Sequence, residues 1–199
     1  MSLRERISKN VTRASAKIED SEQLAFATEL VRRGLRASAV VTLTGMPPHT
    51  VKILTDRDVG ARKSGRQPGS IERLQDDSHL RLHCSVFVHA YLKAREVAEP
   101  FYDSRPFVRA LRTLEARSPE HGISADLFFY ALQQYQEGVL ALERCLSCGA
   151  HYLRITQLKD AKRKLEGDCF ICTYRFRQPG RTASLTGKEL IALALKQPG

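Results

Sequence analysis

Four cysteines stand in two CxxC pairs, Cys145-Leu146-Ser147-Cys148 and Cys169-Phe170-Ile171-Cys172, with twenty residues between them. Such a pair curls two sulfurs toward one point, and two pairs supply the four thiolates that a tetrahedral zinc ion needs. Gly149 follows the first pair, where a small residue helps the chain turn. Four cysteines leave no open coordination position, which points to structural rather than catalytic zinc. The competing readings are a disulfide, two redox CxxC motifs, or an iron–sulfur cluster. A disulfide oxidoreductase would carry its CxxC near a βαβ pattern, whereas Cys145 follows a long helical pattern. His151 could replace one cysteine, but four sulfurs already suffice. The fifth cysteine, Cys84, lies in an apolar helical stretch and reads as a small core residue.

The 199 residues carry a formal net charge of +10. That balance implies an acidic partner, most often nucleic acid; the plain alternative is a solvated positive surface. From His151 to Gly199 there are ten Lys/Arg against four Asp/Glu, an excess of six. Arg154, Lys162, Arg163, Lys164, Arg175, Arg177 and Arg181 are the candidate phosphate contacts. A zinc-ribbon protein that binds RNA or a ribosomal surface is the alternative. RNA readers of the stacking kind show clustered exposed aromatics, and only Tyr152, Phe170, Tyr174 and Phe176 lie near the cysteines. Phe170 and Phe176 are expected to pack the module's small core.

Enzymatic chemistry finds no support. A zinc deaminase needs H-x-E with a CxxC pair, and none of the six histidines has glutamate two residues later. No apolar run reaches the roughly 18 residues of a membrane helix, and residues 1–20 show no signal-peptide core. Paired CxxC motifs without an export signal point to a reducing cytoplasm.

The elements that must position these residues are mainly helical. The expected architecture is a helical body with a helix-turn-helix-like segment, plus a small C-terminal zinc module built on the four paired cysteines. Residues 1–19 read as a flexible arm, 20–143 as the body, 144–176 as the module, and 177–199 as a basic tail with a short helix. Leu24, Ala27, Val31 and Leu35 recur at helical spacing, with a break at Gly34. Residues 61–70 are a basic loop by composition. Longer helices are expected over 79–97, 105–116 and 123–146, the last running straight into Cys145. Residues 151–156 suggest a short strand. Phe128, Phe129 and Tyr130 are consecutive. Neighbours on a helix lie about 100° apart, so at least one of the three is expected to face another chain.

Residues 37–54 fit two short helices around a turn. Val40 and Val41 fall where the first would pack, Gly45 at the turn, and Met46, Val51 and Leu54 on the buried side of the second, with Thr44 a weak member. Pro47 and Pro48 are acceptable in a first helical turn, where amide donors are unpaired anyway. His49, Thr50, Lys52 and Ile53 would then be exposed and could enter a major groove, with His49 and Lys52 as the groove-facing choices. A core hairpin with a solvated outer face satisfies the same template.

Several segments together resemble one family, the C subunit of the bacterial flagellar master transcriptional regulator (the FlhC family). Leu24-Ala25, Glu29-Leu30-Val31 and Gly34 are similar to its first helix, and Met46 to Leu54 to its next helices. Leu82 to Tyr91 resembles a family helix with a histidine, a small pair, a phenylalanine and an aromatic at matching places. Val139-Leu140, Leu142 and Cys145-Leu146-Ser147-Cys148-Gly149 resemble the approach to its zinc site, and Cys169 to Cys172 its second pair. The chain has no tryptophan, which the family's central helices carry. The resemblance implies a subunit that binds promoter DNA and assembles with the regulator's D subunit. It would serve RNA polymerase by activating flagellar operons. It also implies one zinc ion on Cys145, Cys148, Cys169 and Cys172.

Overall fold

The computed structural model describes residues 21–58, 71–96, 100–156 and 171–172. These residues are mainly helical. Helix α1 covers residues 21–32. It is followed by α2 (Ala37–Thr44), α3 (Pro48–Asp58), α4 (Ile71–Asp76), α5 (Ser78–Ala94), α6 (Ser104–Arg117) and α7 (Ala125–Gln136). An antiparallel hairpin closes the order, β1 (Leu140–Arg144) with β2 (His151–Ile155), in a register that pairs Leu140 with Ile155 and Arg144 with His151. The arm at 1–19, the basic loop at 61–70 and the tail at 177–199 lie outside the described residues.

Helix α5 is the centre of the packing. No residue from Leu80 to Leu92 is exposed, the pattern of a helix buried on all sides. Asp77 starts it by accepting the Leu80 N–H at 2.9 Å, which satisfies one orphan donor of the first turn. Phe87 stacks on Phe128 of α7 at 4.9 Å between centroids and meets Phe107 of α6 edge-on at 5.0 Å. Offset and edge-to-face pairs of this kind add to the area they bury. Cys84 is fully buried, as expected, and burial pushes its thiol well up.

Two ionic joints bind the outer helices to this core. Asp126, in the first turn of α7, accepts the Arg36 backbone N–H at 2.9 Å and the Arg36 guanidinium at 3.1 Å. Arg36 is the residue before α2 and makes no side-chain cap bond; a carboxylate distant in sequence instead fixes the Arg36 amide and guanidinium. Glu29 of α1 pairs with Arg33 and with Arg112 of α6, and Arg33 also reaches Glu115. Burial alone would raise the Glu29 carboxyl. The hydrogen bonds and charges of Arg112 and Arg33 outweigh that and hold it below the usual range.

One expectation is corrected here. The helix expected over 123–146 stops at Gln136. Gly138 adopts φ +74°, its N–H bonds to the Tyr135 carbonyl, and the Val139 N–H bonds to the Gln134 carbonyl. That pair of bonds closes a helix around a left-handed residue, a conformation glycine adopts without a Cβ penalty. The apolar residues beyond it then alternate along β1 instead of continuing a helix. Two of the three consecutive aromatics face inward. Phe128 and Phe129 are buried and Tyr130 is half-buried against the same core. Phe129 meets Tyr102 at 5.8 Å and Phe107 at 6.2 Å, so partners within the chain cover the two phenylalanines, and Tyr130 keeps part of its surface open.

The double hydrogen bond at Asp126 sets a measurable cost. Asp126→Ala is expected to lose about 2–3 kcal/mol of stability, the scale of hydrogen bonds to a charged group. Urea unfolding followed by circular dichroism reads this loss, and Asp126→Asn, which keeps an acceptor for the Arg36 amide, is expected to lose less.

Candidate metal centre

The loop between β1 and β2 is the first CxxC pair. Residues 145–150 connect the strands, and the Cys145 N–H donates to the Ala150 carbonyl at 2.8 Å to shut the loop. The Gly149 N–H returns to the Cys145 carbonyl at 2.9 Å, with Gly149 at φ +72°. The Cys148 N–H points at the Cys145 sulfur, 3.5 Å away. Backbone donors aimed at a sulfur favour its anionic form, the form that binds metal. Cys172 approaches from the other side, its sulfur 3.9 Å from that of Cys145.

The sulfurs of Cys145, Cys148 and Cys172 all lie within 4.8 Å of one another. Four sulfurs about 2.3 Å from a tetrahedral ion stand about 3.8 Å apart. The Cys145–Cys172 separation of 3.9 Å matches that value, and these three cysteines could hold one ion. Cys145 and Cys172 are buried with Ala150 and Ile171, and Leu82, Cys148 and Tyr152 pack against them. Cys169, the expected fourth ligand, lies outside the described residues.

The hairpin is held to the body by interactions that sequence spacing did not single out. Leu140 and Leu153 belong to the main core. The Ser85 hydroxyl, fully buried on α5, accepts the Leu153 N–H at 2.9 Å and donates to the Arg81 carbonyl at 2.6 Å. The His89 and His151 rings stack at 4.4 Å and 17°. His151 therefore faces α5 rather than joining the cysteine group. A serine and a histidine within an apolar helical stretch were the available signal for this joint, and helical periodicity alone does not reveal their partner.

The other expected contacts fall elsewhere. His49 and Lys52 are exposed on α3. Arg154 is exposed on β2 and pairs with Glu143 across the hairpin at 2.8 Å, which offsets part of the charge it would offer a phosphate. Lys162, Arg163, Lys164, Arg175, Arg177 and Arg181 lie outside the described residues. No family model and no curated protein matches the chain.

The stacked histidines make stability depend on pH. Burial, with His151 and Lys93 nearby, lowers His89 from the usual 6.5 to about 4. His151 is lowered too, by burial and by Arg144 and Lys93. A histidine whose folded pKa is depressed contributes stability above its unfolded pKa and loses it as pH falls toward the folded value. The urea midpoint is therefore expected to drop between about pH 6.5 and 4, and to drop less in His89→Gln. Equal slopes in the two proteins would place the acid sensitivity elsewhere.

Proposed function

We propose that the chain is the DNA-binding subunit of a hetero-oligomeric transcriptional activator, built like the C subunit of the flagellar master regulator and carrying one structural zinc ion. The observation that carries the DNA reading is the α2–α3 pair. Residues 45–47 join the two helices. Val40, Leu43, Val51 and Leu54 are buried, and His49, Lys52 and Ile53 are exposed on the second helix. A helix-turn-helix needs this division, since one face of its second helix must pack while the other meets base edges. Gly45, at φ +67° with its N–H on the Val41 carbonyl, ends α2 where that turn begins. The +10 net charge favours a polyanionic partner.

Zinc is supported by the sulfur geometry and by the choice of ligand. Thiolates select zinc or iron–sulfur clusters over hard cations. Cys169 completes the set of four, and such a site contributes to folding and leaves no position for substrate. An ion at this place would pin Cys172 to the hairpin loop. Tyr152 packs against the cysteines and contacts Glu143 through its hydroxyl at 3.3 Å, an arrangement unlike the open ring a stacking RNA reader offers. Promoter DNA, the regulator's D subunit and RNA polymerase in the cytoplasm are the partners and setting this reading names. Among the described residues no helix is long and apolar enough to cross a membrane.

Two measurements test the reading. Protein purified without chelator is expected to carry about one equivalent of zinc by elemental analysis. Cys148→Ser is expected to lose the metal and disorder the loop while α5 and α6 stay helical. Less than half an equivalent in the unmodified protein would sink the metal assignment.

For DNA, the chain co-expressed with the D subunit is the material. Lys52→Ala is expected to weaken specific duplexes by about 1–3 kcal/mol and to leave non-specific binding nearly intact. An equal loss on both would make Lys52 a phosphate contact. No loss on either would make α2–α3 a plain core hairpin.

A further inference from the structure

Ile53 stands out on the surface. It is 63% exposed, on a helix whose buried face already holds Val51, Leu54 and Thr55. An isolated surface isoleucine needs no explanation; its neighbours are what make this one informative. His49, Lys52, Ile53 and Asp56 occupy positions i, i+3, i+4 and i+7 of α3, and all four are exposed. They form one stripe along the helix, opposite the packed face.

The chemistry of that stripe is mixed in a particular way. Lys52 is a donor, His49 can donate or accept, Asp56 only accepts when ionised, and Ile53 offers an apolar end. A stripe that merely rode the phosphate backbone would gain nothing from Ile53 and would suffer repulsion at Asp56. Base edges in the major groove present the complementary set: guanine acceptors, the cytosine amino donor and the thymine C5 methyl. Beyond the stripe, Arg32 and Arg57 converge on Asp58 at 3.2 and 2.7 Å, with both guanidinium side chains more than half exposed. Hydrogen bonding from Arg57, with the charges of Arg57 and Arg32, holds the Asp58 carboxyl below its usual range. Their exposed guanidinium groups are donors at the edge of the stripe, of the kind that contacts flanking phosphates and positions a reading helix without specifying sequence.

We infer that Ile53 reads a thymine methyl group in the major groove, with Lys52 and Asp56 facing the base edges on either side of it. This rests on the DNA-binding reading above and goes further, because it names a base and the atom by which the base is recognised. The contact is apolar, so it discriminates thymine from any base that lacks a methyl at that place. Its scale is that of one buried methyl, about 0.8 kcal/mol, or roughly fourfold in affinity.

Deoxyuridine differs from thymidine only by that methyl and keeps every hydrogen-bonding group. The experiment uses the full chain in complex with the D subunit and a duplex selected from a random pool. Each thymine of the duplex is replaced singly by deoxyuridine. The expected result is one position at which the replacement weakens binding roughly fourfold, with that sensitivity absent in Ile53→Ala. Ile53 is exposed, so this variant is expected to fold, and an unchanged urea midpoint checks it. Sensitivity at no thymine, or the same sensitivity in Ile53→Ala, overturns the inference while leaving specific binding intact. A variant that keeps the thymine preference but loses the D subunit also overturns it and makes Ile53 a protein contact. Failure to select any preferred duplex removes the DNA reading itself, and the inference with it.

Discussion

The described fold depends on burying α5 on every side. A helix with no exposed residue between Leu80 and Leu92 cannot be covered by one neighbour, since a single packing partner covers only one stripe. Helices α6 and α7 cover the side that carries Phe87, through Phe107 and Phe128. The β1–β2 hairpin covers the side that carries Ser85 and His89. The hairpin is therefore part of what completes the core, and the cysteine loop at its tip is carried on a packed element.

This arrangement shapes what the metal centre can do. The loop is already closed by the bond from the Cys145 amide to the Ala150 carbonyl and by the strand register behind it. A metal ion there does not have to create the first knuckle. Its largest effect would be to join Cys172 to a hairpin that is anchored on α5. Leu146 projects from the loop, fully exposed, while Cys145 beneath it is buried. Both residues between the two cysteines, Leu146 and Ser147, face solvent while Cys145 is buried.

Charge is distributed less simply than the net value suggests. Arg33, Arg36, Arg57, Arg105, Arg112 and Arg154 each face a carboxylate within the chain. Several of these pairs lock α1 to α6 and α2 to α7, so part of the arginine content holds helices together. Exposed pairs of this kind contribute little stability one at a time. Arg36 is different, because its amide and its guanidinium meet the same buried Asp126. Lys52 remains exposed beside Ile53 on α3, and for this reason a local stripe is a better guide to a nucleic-acid surface than the total charge.

Local chemistry in the sequence determined a good deal. Helical spacing placed α2, α3, α5 and α6 to within a few residues, because a buried stripe needs apolar side chains every three to four positions. Gly45 marked the turn between α2 and α3, while Pro47, expected in the first turn of the second helix, falls just before it; the CxxC spacing brought Cys145 and Cys148 to one point. What depended on distant partners was not legible. The end of α7 is written as Gly138, a single glycine before the apolar run Val139 to Leu142 that could also continue a helix, and only pairing with β2 turns residues 140–144 into a strand. Of the three aromatics from Phe128 to Tyr130, the first two are covered by Phe87, Tyr102 and Phe107 from distant parts of the chain, while Tyr130 stays half-buried. The roles of Asp126, Ser85 and His89 likewise exist only through residues dozens of positions away. Sequence spacing decides what each segment can offer, and tertiary packing decides what meets it, because burial and hydrogen bonding are satisfied by whichever group arrives in space.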